Sequence, residues 1–435
     1  MVLGSSRARS VPKIAMCLLV ALASARVARA VPNFIPQQRV GYTTGDQWEP
    51  AMAADGRGHI YILFPQYGAV SGCPACSEPT MALVVSNDNG VTWEAPHALA
   101  PSSTGQFDPQ IVVDPVDRQT VYASWLQNNK RDVMVARSQD FGGSWYLAIA
   151  EHSPEDADKP ALAVHGADVY VGFNHDQEFV VAASHDYAQN FSSTTVNPGA
   201  EPGWSLAGGA TVGPSGDVYF AWTAYARREL STHPVSVYVS RSADAGRSWS
   251  TVLLDVSSAP PSCKPQGCEA GYLGAQIALA SDAAGTVYAL WNAGSAHGGP
   301  ERIYFSSSTT GGASWSAKAD VSSGDEQVEH CFPAMAAGAA GDVRIAWMDT
   351  RNSPLWNVFQ RSSSNGGATW SAETQLSGGA RGFDRRYDYV RPDGFRFPFG
   401  DYFSIAIDNL GNTHAVWGEG RNYRSPGSIW YTHGR

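Results

Sequence analysis

Apolar and polar residues alternate along most of the chain in short runs that suit strands, and no stretch beyond the N-terminus carries a helical period. One alternating pattern returns seven times: apolar-x-Ala/Val-Asp-x-x-Gly-x-x-Tyr-x-x-Trp. Its copies are AMAADGRGHIYILF (51–64), IVVDPVDRQTVYASW (111–125), ALAVHGADVYVGF (161–173), ATVGPSGDVYFAW (210–222), IALASDAAGTVYALW (277–291), AMAAGAAGDVRIAW (334–347) and IAIDNLGNTHAVW (405–417). The closing aromatics Phe64, Trp125, Phe173, Trp222, Trp291, Trp347 and Trp417 lie 48 to 70 residues apart. A period of that length, with room for about four short strands per unit and no helix, predicts a single β-propeller. Seven blades are expected, six being the alternative count.

A second repeat follows each unit. Ser86–Trp93 (SNDNGVTW), Ser138–Trp145 (SQDFGGSW) and Ser242–Trp249 (SADAGRSW) share Ser-x-Asp-x-Gly-x-Ser/Thr-Trp. Ser308–Trp315 and Ser363–Trp370 replace the aspartate by Thr310 and Asn365, and Ser184–Phe191 keeps Asp186 but ends in Phe. Each box comes after a β-type run and reads as a hairpin turn. Its Asp (Asp88, Asp140, Asp186, Asp244) satisfies backbone N–H groups, Gly takes the left-handed conformation, and Trp buries a large apolar face. The seventh unit has no box. A strand is therefore missing from the last blade, and Phe34–Tyr42 is placed to supply it and close the ring.

Residues 1–30 read as a secretory signal: Arg7, Arg9 and Lys13, the apolar run 14–25, then Ala28-Arg29-Ala30. The propeller domain is then 31–435. No later run approaches the ~18 apolar residues of a spanning helix. Removing the five basic residues of 1–30 leaves 25 Lys/Arg against 40 Asp/Glu, formally −15. That balance argues against nucleic acid or an anionic membrane as partner. Cys73/Cys76 and Cys263/Cys268 are close pairs in Gly/Pro-rich loops and read as disulfides, with Cys331 buried and free; a metal site using His330 and Cys331 is the alternative. No cofactor or metal is expected, and the chain reads as a secreted or periplasmic monomer.

The boxes resemble those of the Asp-box, or BNR-repeat, propellers of the sialidase superfamily. The resemblance implies that the boxes lie on the face away from the active site. It also implies an active site of three arginines holding a carboxylate, a Tyr nucleophile activated by Glu, and an Asp acid/base. Where that family has Phe/Tyr-Arg-Ile-Pro, this chain has Phe34-Ile35-Pro36, without the arginine.

The loops of the other face carry the candidate chemistry. Trp347-Met348-Asp349-Thr350-Arg351 and Trp417-Gly418-Glu419-Gly420-Arg421 place an acid and an arginine alike in adjacent blades, with Arg228 in the matching loop of blade 4. The crossing from Ser377 to Phe403 holds Arg391 and Asp401-Tyr402. Arg228, Arg351, Arg391 and Arg421 are the candidate substrate-binding residues, since a guanidinium holds an anion bidentately. Tyr402, Glu326 and Asp401 are the candidate catalytic residues; Asp349/Arg351 and Glu419/Arg421 read equally well as salt bridges. Two functions fit. One is a carbohydrate-directed, sialidase-like propeller, an exo-acting glycoside hydrolase on acidic sugars. The other is a non-catalytic propeller binding a glycan, peptide or partner protein on its loop face.

Overall fold

A computed structural model describes residues 1, 2, 4 and 33–435, apart from 176–177, 198–203, 226–232, 263–271, 353–355, 379–399 and 421–425. Residues from Pro32 onward form one compact unit. Among the described residues there is no helix. The strands form seven antiparallel sheets, six of four strands and one of five, and the sheets are the seven blades.

The second strand of each blade is the most buried, because both of its faces pack on neighbouring blades: Ile60–Tyr67, Val121–Gln127, Asp168–His175, Val218–Tyr225, Val287–Gly294, Val343–Asp349 and Thr413–Gly420. The repeated Tyr and the closing Trp both lie on this strand. Trp125, Trp222, Trp291, Trp347 and Trp417 are fully buried. A buried indole N–H needs an acceptor, and the chain supplies one locally. Trp347 Nε1 donates to Asp349 (3.0 Å), Trp417 to Glu419 (3.0 Å) and Trp125 to Gln127 (3.3 Å), each two residues further on.

The last blade closes the ring with both chain ends. Gln38–Arg39 pairs with Gly427–Gly434, and Phe34 bridges Gly434. That is the closure expected from the missing seventh box, and the blade count is seven.

The boxes have one geometry. In blade 1, Asp88 accepts from Ser86 Oγ (2.8 Å), Thr92 N (2.8 Å), Thr92 Oγ1 (2.6 Å) and Val91 N (3.1 Å), while Ser86 Oγ accepts from Gly90 N (2.8 Å). Asp140, Asp186 and Asp244 repeat this network. Thr310 and Asn365 keep the bond that matters most for the turn: their side-chain oxygens still accept from Ser314 N and Thr369 N, each at 2.9 Å. Each box also packs on the blade before it. Gly246 sits on Tyr170, Gly312 on Tyr219, and Gly142 on Tyr61 and Leu83, while Trp93 stands edge-on to Tyr431 of blade 7. The box is therefore a staple between blades as well as a hairpin turn.

Antiparallel order puts the boxes and the turns between first and second strands on one face. Asn89 N donates to Gly58 O at 2.8 Å across the two turns of blade 1. The starts of the innermost strands and the loops after the second strands form the opposite face.

Candidate functional site at the channel mouth

The innermost strands share a position that the seven-fold repeat defines. It lies two residues before the residue paired with the one preceding the closing aromatic, and its occupants are Glu49, Asp108, Lys159, Ala207, Gln276, Phe332 and Tyr402. Four of them have positive φ (Glu49 +51°, Asp108 +55°, Lys159 +46°, Phe332 +57°), and each is followed by proline. A left-handed non-glycine residue is uncommon, and a following proline normally drives the chain to extended backbone. The pair register shifts at this point in blades 2, 3 and 6. The bulge turns the side chain away from the strand's regular alternation. Such backbone costs on the order of 1–3 kcal/mol per residue and is concentrated where function requires it.

These side chains meet in a charged cluster spanning blades 7, 1, 2 and 3. Lys159 pairs with Asp401, and Glu49 Oε1 accepts from the Asp401 backbone N at 3.2 Å. Lys130 lies 3.2 Å from Asp108 and 3.1 Å from Asp158. Three successive left-handed residues, Asn128, Asn129 and Lys130, present that ammonium. Tyr402 stands beside Lys159, whose ammonium is 5.2 Å from the ring centre, and its buried hydroxyl has no hydrogen-bond partner among the described residues.

Four carboxylates face two lysines here, and burial decides which stay charged. Burial and the neighbouring Asp401 push Glu49 well above the usual carboxylate range against the pull of Lys159. Burial raises Asp108 to about 6 despite Lys130. Burial would raise Asp158 too, but Lys130 and Lys159 hold it below its ordinary value. Burial works against the Lys159 ammonium, yet Asp401 and Glu49 more than offset it. Burial and the surrounding acids, Glu49 first, keep the Tyr402 phenol protonated.

Directly inside this cluster is a cavity of about 150 Å³ on the channel axis, lined from all seven innermost strands. Lys159 and Tyr402 form its charged wall, Gln110 and Gln276 contribute amides, and Pro50, Pro160 and Pro333 contribute apolar surface. Its size is that of a cavity holding one six-membered ring.

The structure brings Tyr402 and Asp401 together at the mouth, with Glu49 as the acid beside them. Glu326 is exposed and is not among the lining residues, so the expected Tyr402–Glu326 pairing is not formed. Arg351 does not line the cavity either. Its guanidinium pairs with Asp349 and Glu373, donates to Ser323 Oγ (3.1 Å) and lies 3.7 Å above the Phe359 ring. The salt-bridge reading of Asp349/Arg351 is the one observed. Arg228, Arg391 and Arg421 lie outside the described residues, as do Cys263 and Cys268. Cys73–Cys76 is a disulfide, and Cys331 is buried and free. His330 has both ring nitrogens against backbone carbonyls, Glu301 O at 3.0 Å and Ser323 O at 2.8 Å, which leaves neither for a metal.

No protein-family model and no curated protein matches the sequence. Solved structures share the fold. A protein of unknown function from Dyadobacter fermentans aligns over 92% of this chain and 98% of its own, with a TM-score of 0.53 and 13% identity. A polysaccharide lyase, an ulvan lyase, aligns over 90% and 95%, with a TM-score of 0.52 and 13% identity. A Hadza microbial sialidase aligns over 91% and 68%, with a TM-score of 0.48 and 13% identity. At such identities the likeness concerns the fold alone.

Proposed function

We propose that the protein is a carbohydrate-directed propeller acting at the channel mouth as an exo-acting glycoside hydrolase. The observation that carries the proposal is the Tyr402 hydroxyl. It is buried at the wall of a ring-sized cavity, without a partner among the described residues, and backed by Glu49, Asp401 and Lys159. A phenol among carboxylates keeps its O–H and can donate it in a hydrogen bond to a sugar oxygen. Tyr402 is assigned the proton that goes to the leaving glycosidic oxygen as the C–O bond breaks. Water supplies the hydroxyl that joins the anomeric carbon, and its proton goes to Asp401, whose Oδ1 has no hydrogen-bond partner among the described residues. Glu49, whose proton is held more tightly because of burial and the neighbouring Asp401, lessens the repulsion between the two adjacent carboxyl groups. A cavity with room for one ring suits removal of a terminal residue. The acidic-sugar form of this reading rests on Arg228, Arg391 and Arg421. The Cys73–Cys76 disulfide supports an oxidising compartment, and we place the mature chain outside the cytoplasm.

The test is turnover of a fluorogenic glycoside panel by the wild type, Tyr402→Phe and Glu49→Gln. Turnover lost in both variants is the expected result. No turnover on any glycoside, with sugar binding retained, would make this a binding propeller.

A further inference from the structure

We propose that the sugar taken by the channel cavity is a neutral pyranose, and that Gln110 and Gln276 are its specificity-determining residues. This deepens the reading above and rests on its placement of a sugar in the cavity. Among the described lining residues Lys159 is the one ionised side chain, and its ammonium is already paired with Asp401. An incoming carboxylate would approach Lys159 against Asp401, with Asp108 and Asp158 behind it, which is a like-charge arrangement. A cationic sugar would instead meet the Lys159 ammonium itself. A neutral ring meets neither penalty.

The hydrogen-bonding inventory agrees. Gln110 and Gln276 sit in blades 2 and 5 of a seven-bladed ring, well apart around the channel axis. Each is half-buried, and neither side-chain amide has a hydrogen-bond partner among the described residues. An amide offers a donor pair and an acceptor, which matches vicinal hydroxyls. Gln276 occupies the shared inner-strand position and Gln110 lies two residues after it; Gln110 is fixed by pairing with Ser124, and Gln276, one residue before its strand, by backbone bonds to Asn292 (its N–H to Asn292 Oδ1 at 2.9 Å, its C=O from Asn292 N at 3.2 Å). Pro50, Pro160 and Pro333 present C–H surface to the face of a ring.

Binding separates this inference from catalysis. Methyl galactoside, methyl glucoside, glucuronic acid, N-acetylneuraminic acid and glucosamine would be titrated into the wild type and into Gln110→Leu and Gln276→Leu, with folding checked by near-UV circular dichroism. The expected result is binding of a neutral glycoside at least tenfold tighter than either acid or the amine, and weakened about tenfold by either leucine variant. Its affinity should be unchanged between low and high salt, because no net charge is exchanged. Tighter, salt-sensitive binding of either acid or of glucosamine would overturn the inference while leaving the sugar site standing. Neutral binding unaffected in both leucine variants would overturn the assignment of the two glutamines. Binding of no sugar at all would overturn both this inference and the reading on which it rests.

Discussion

Replacing Tyr402 by Phe separates the stability of the fold from the chemistry of the mouth. The Tyr402 hydroxyl makes no hydrogen bond to the described residues, so its removal costs the fold no bond seen there. Tyr288 is the matched control: a core tyrosine whose hydroxyl donates to the buried carboxylate of Asp282 at 2.7 Å. A hydrogen bond to a charged group contributes roughly 1.5–3 kcal/mol. The unfolding entropy of a chain of roughly 400 residues is about 0.8 kcal/mol/K. Tyr288→Phe should then lower Tm by about 2–4 °C, whereas Tyr402→Phe should leave it within about 1 °C or raise it. In the glycoside assay the order reverses. Tyr402→Phe should lose about 10²-fold or more in turnover, the usual worth of a positioned proton donor, and Tyr288→Phe should be nearly silent. Scanning calorimetry and the same turnover assay on both variants decide the matter. A Tyr402→Phe protein destabilised as much as Tyr288→Phe would refute the reasoning, because the hydroxyl would then be structural.

Three further outcomes follow from particular contacts. Gly142→Ala should cost about 1–2 kcal/mol from left-handed strain alone, since its added Cβ meets nothing nearer than 3.5 Å and blade 3 already carries Ala188 at the equivalent place. Gly90→Ala should cost clearly more, because there the Cβ overlaps the Tyr431 hydroxyl; urea unfolding of both variants checks the order. Burial raises Asp46 from an ordinary value near 3.8 to about 7, although it accepts from Gly427 N at 2.6 Å. A raised folded pKa means that this group's stabilisation is complete below about pH 4 and lost as pH rises to about 7. Asp46→Asn keeps the acceptor and should remove that slope, for a gain on the order of 2–4 kcal/mol at about pH 8 in unfolding measured against pH. Cys331 is 1% exposed and burial pushes its thiol up, so in a Cys263→Ser/Cys268→Ser background it should resist alkylation until denaturant is added, as read by mass spectrometry.

The architecture was legible because it rests on local rules repeated seven times. Strand alternation, the Tyr and closing aromatic of the second strand, and the box turns each report on a short stretch of chain; the seven closing aromatics give the blade count, and the six boxes show which blade is completed by the N-terminal strand. Asp401-Tyr402 stood out because the pair opens the last innermost strand after a crossing rich in arginine. The rest of the mouth was hidden for a physical reason. Glu49, Asp108 and Lys159 are ordinary charged residues before proline, and only the bulge of the innermost strand turns them together. Aligning the repeats two residues upstream of the paired strand would have exposed the column Glu49, Asp108, Lys159, Gln276, Phe332, Tyr402 and its recurrent proline. Arg351 misled for the opposite reason. Its spacing from Trp347 looked functional, but Asp349 in the same segment caps the Trp347 indole and then holds the guanidinium. Sequence proximity identified the partners without saying that they satisfy each other.

The central claim is that function resides in the channel cavity and not on the box face. It is tested most directly by a crystal structure of the protein soaked with methyl galactoside and methyl glucoside. The account predicts one pyranose in the cavity, with the Tyr402 hydroxyl on its glycosidic oxygen and the Gln110 and Gln276 amides on its ring hydroxyls. Sugar bound only on the box face or the outer blade edges, with the cavity closed to it, would contradict the account.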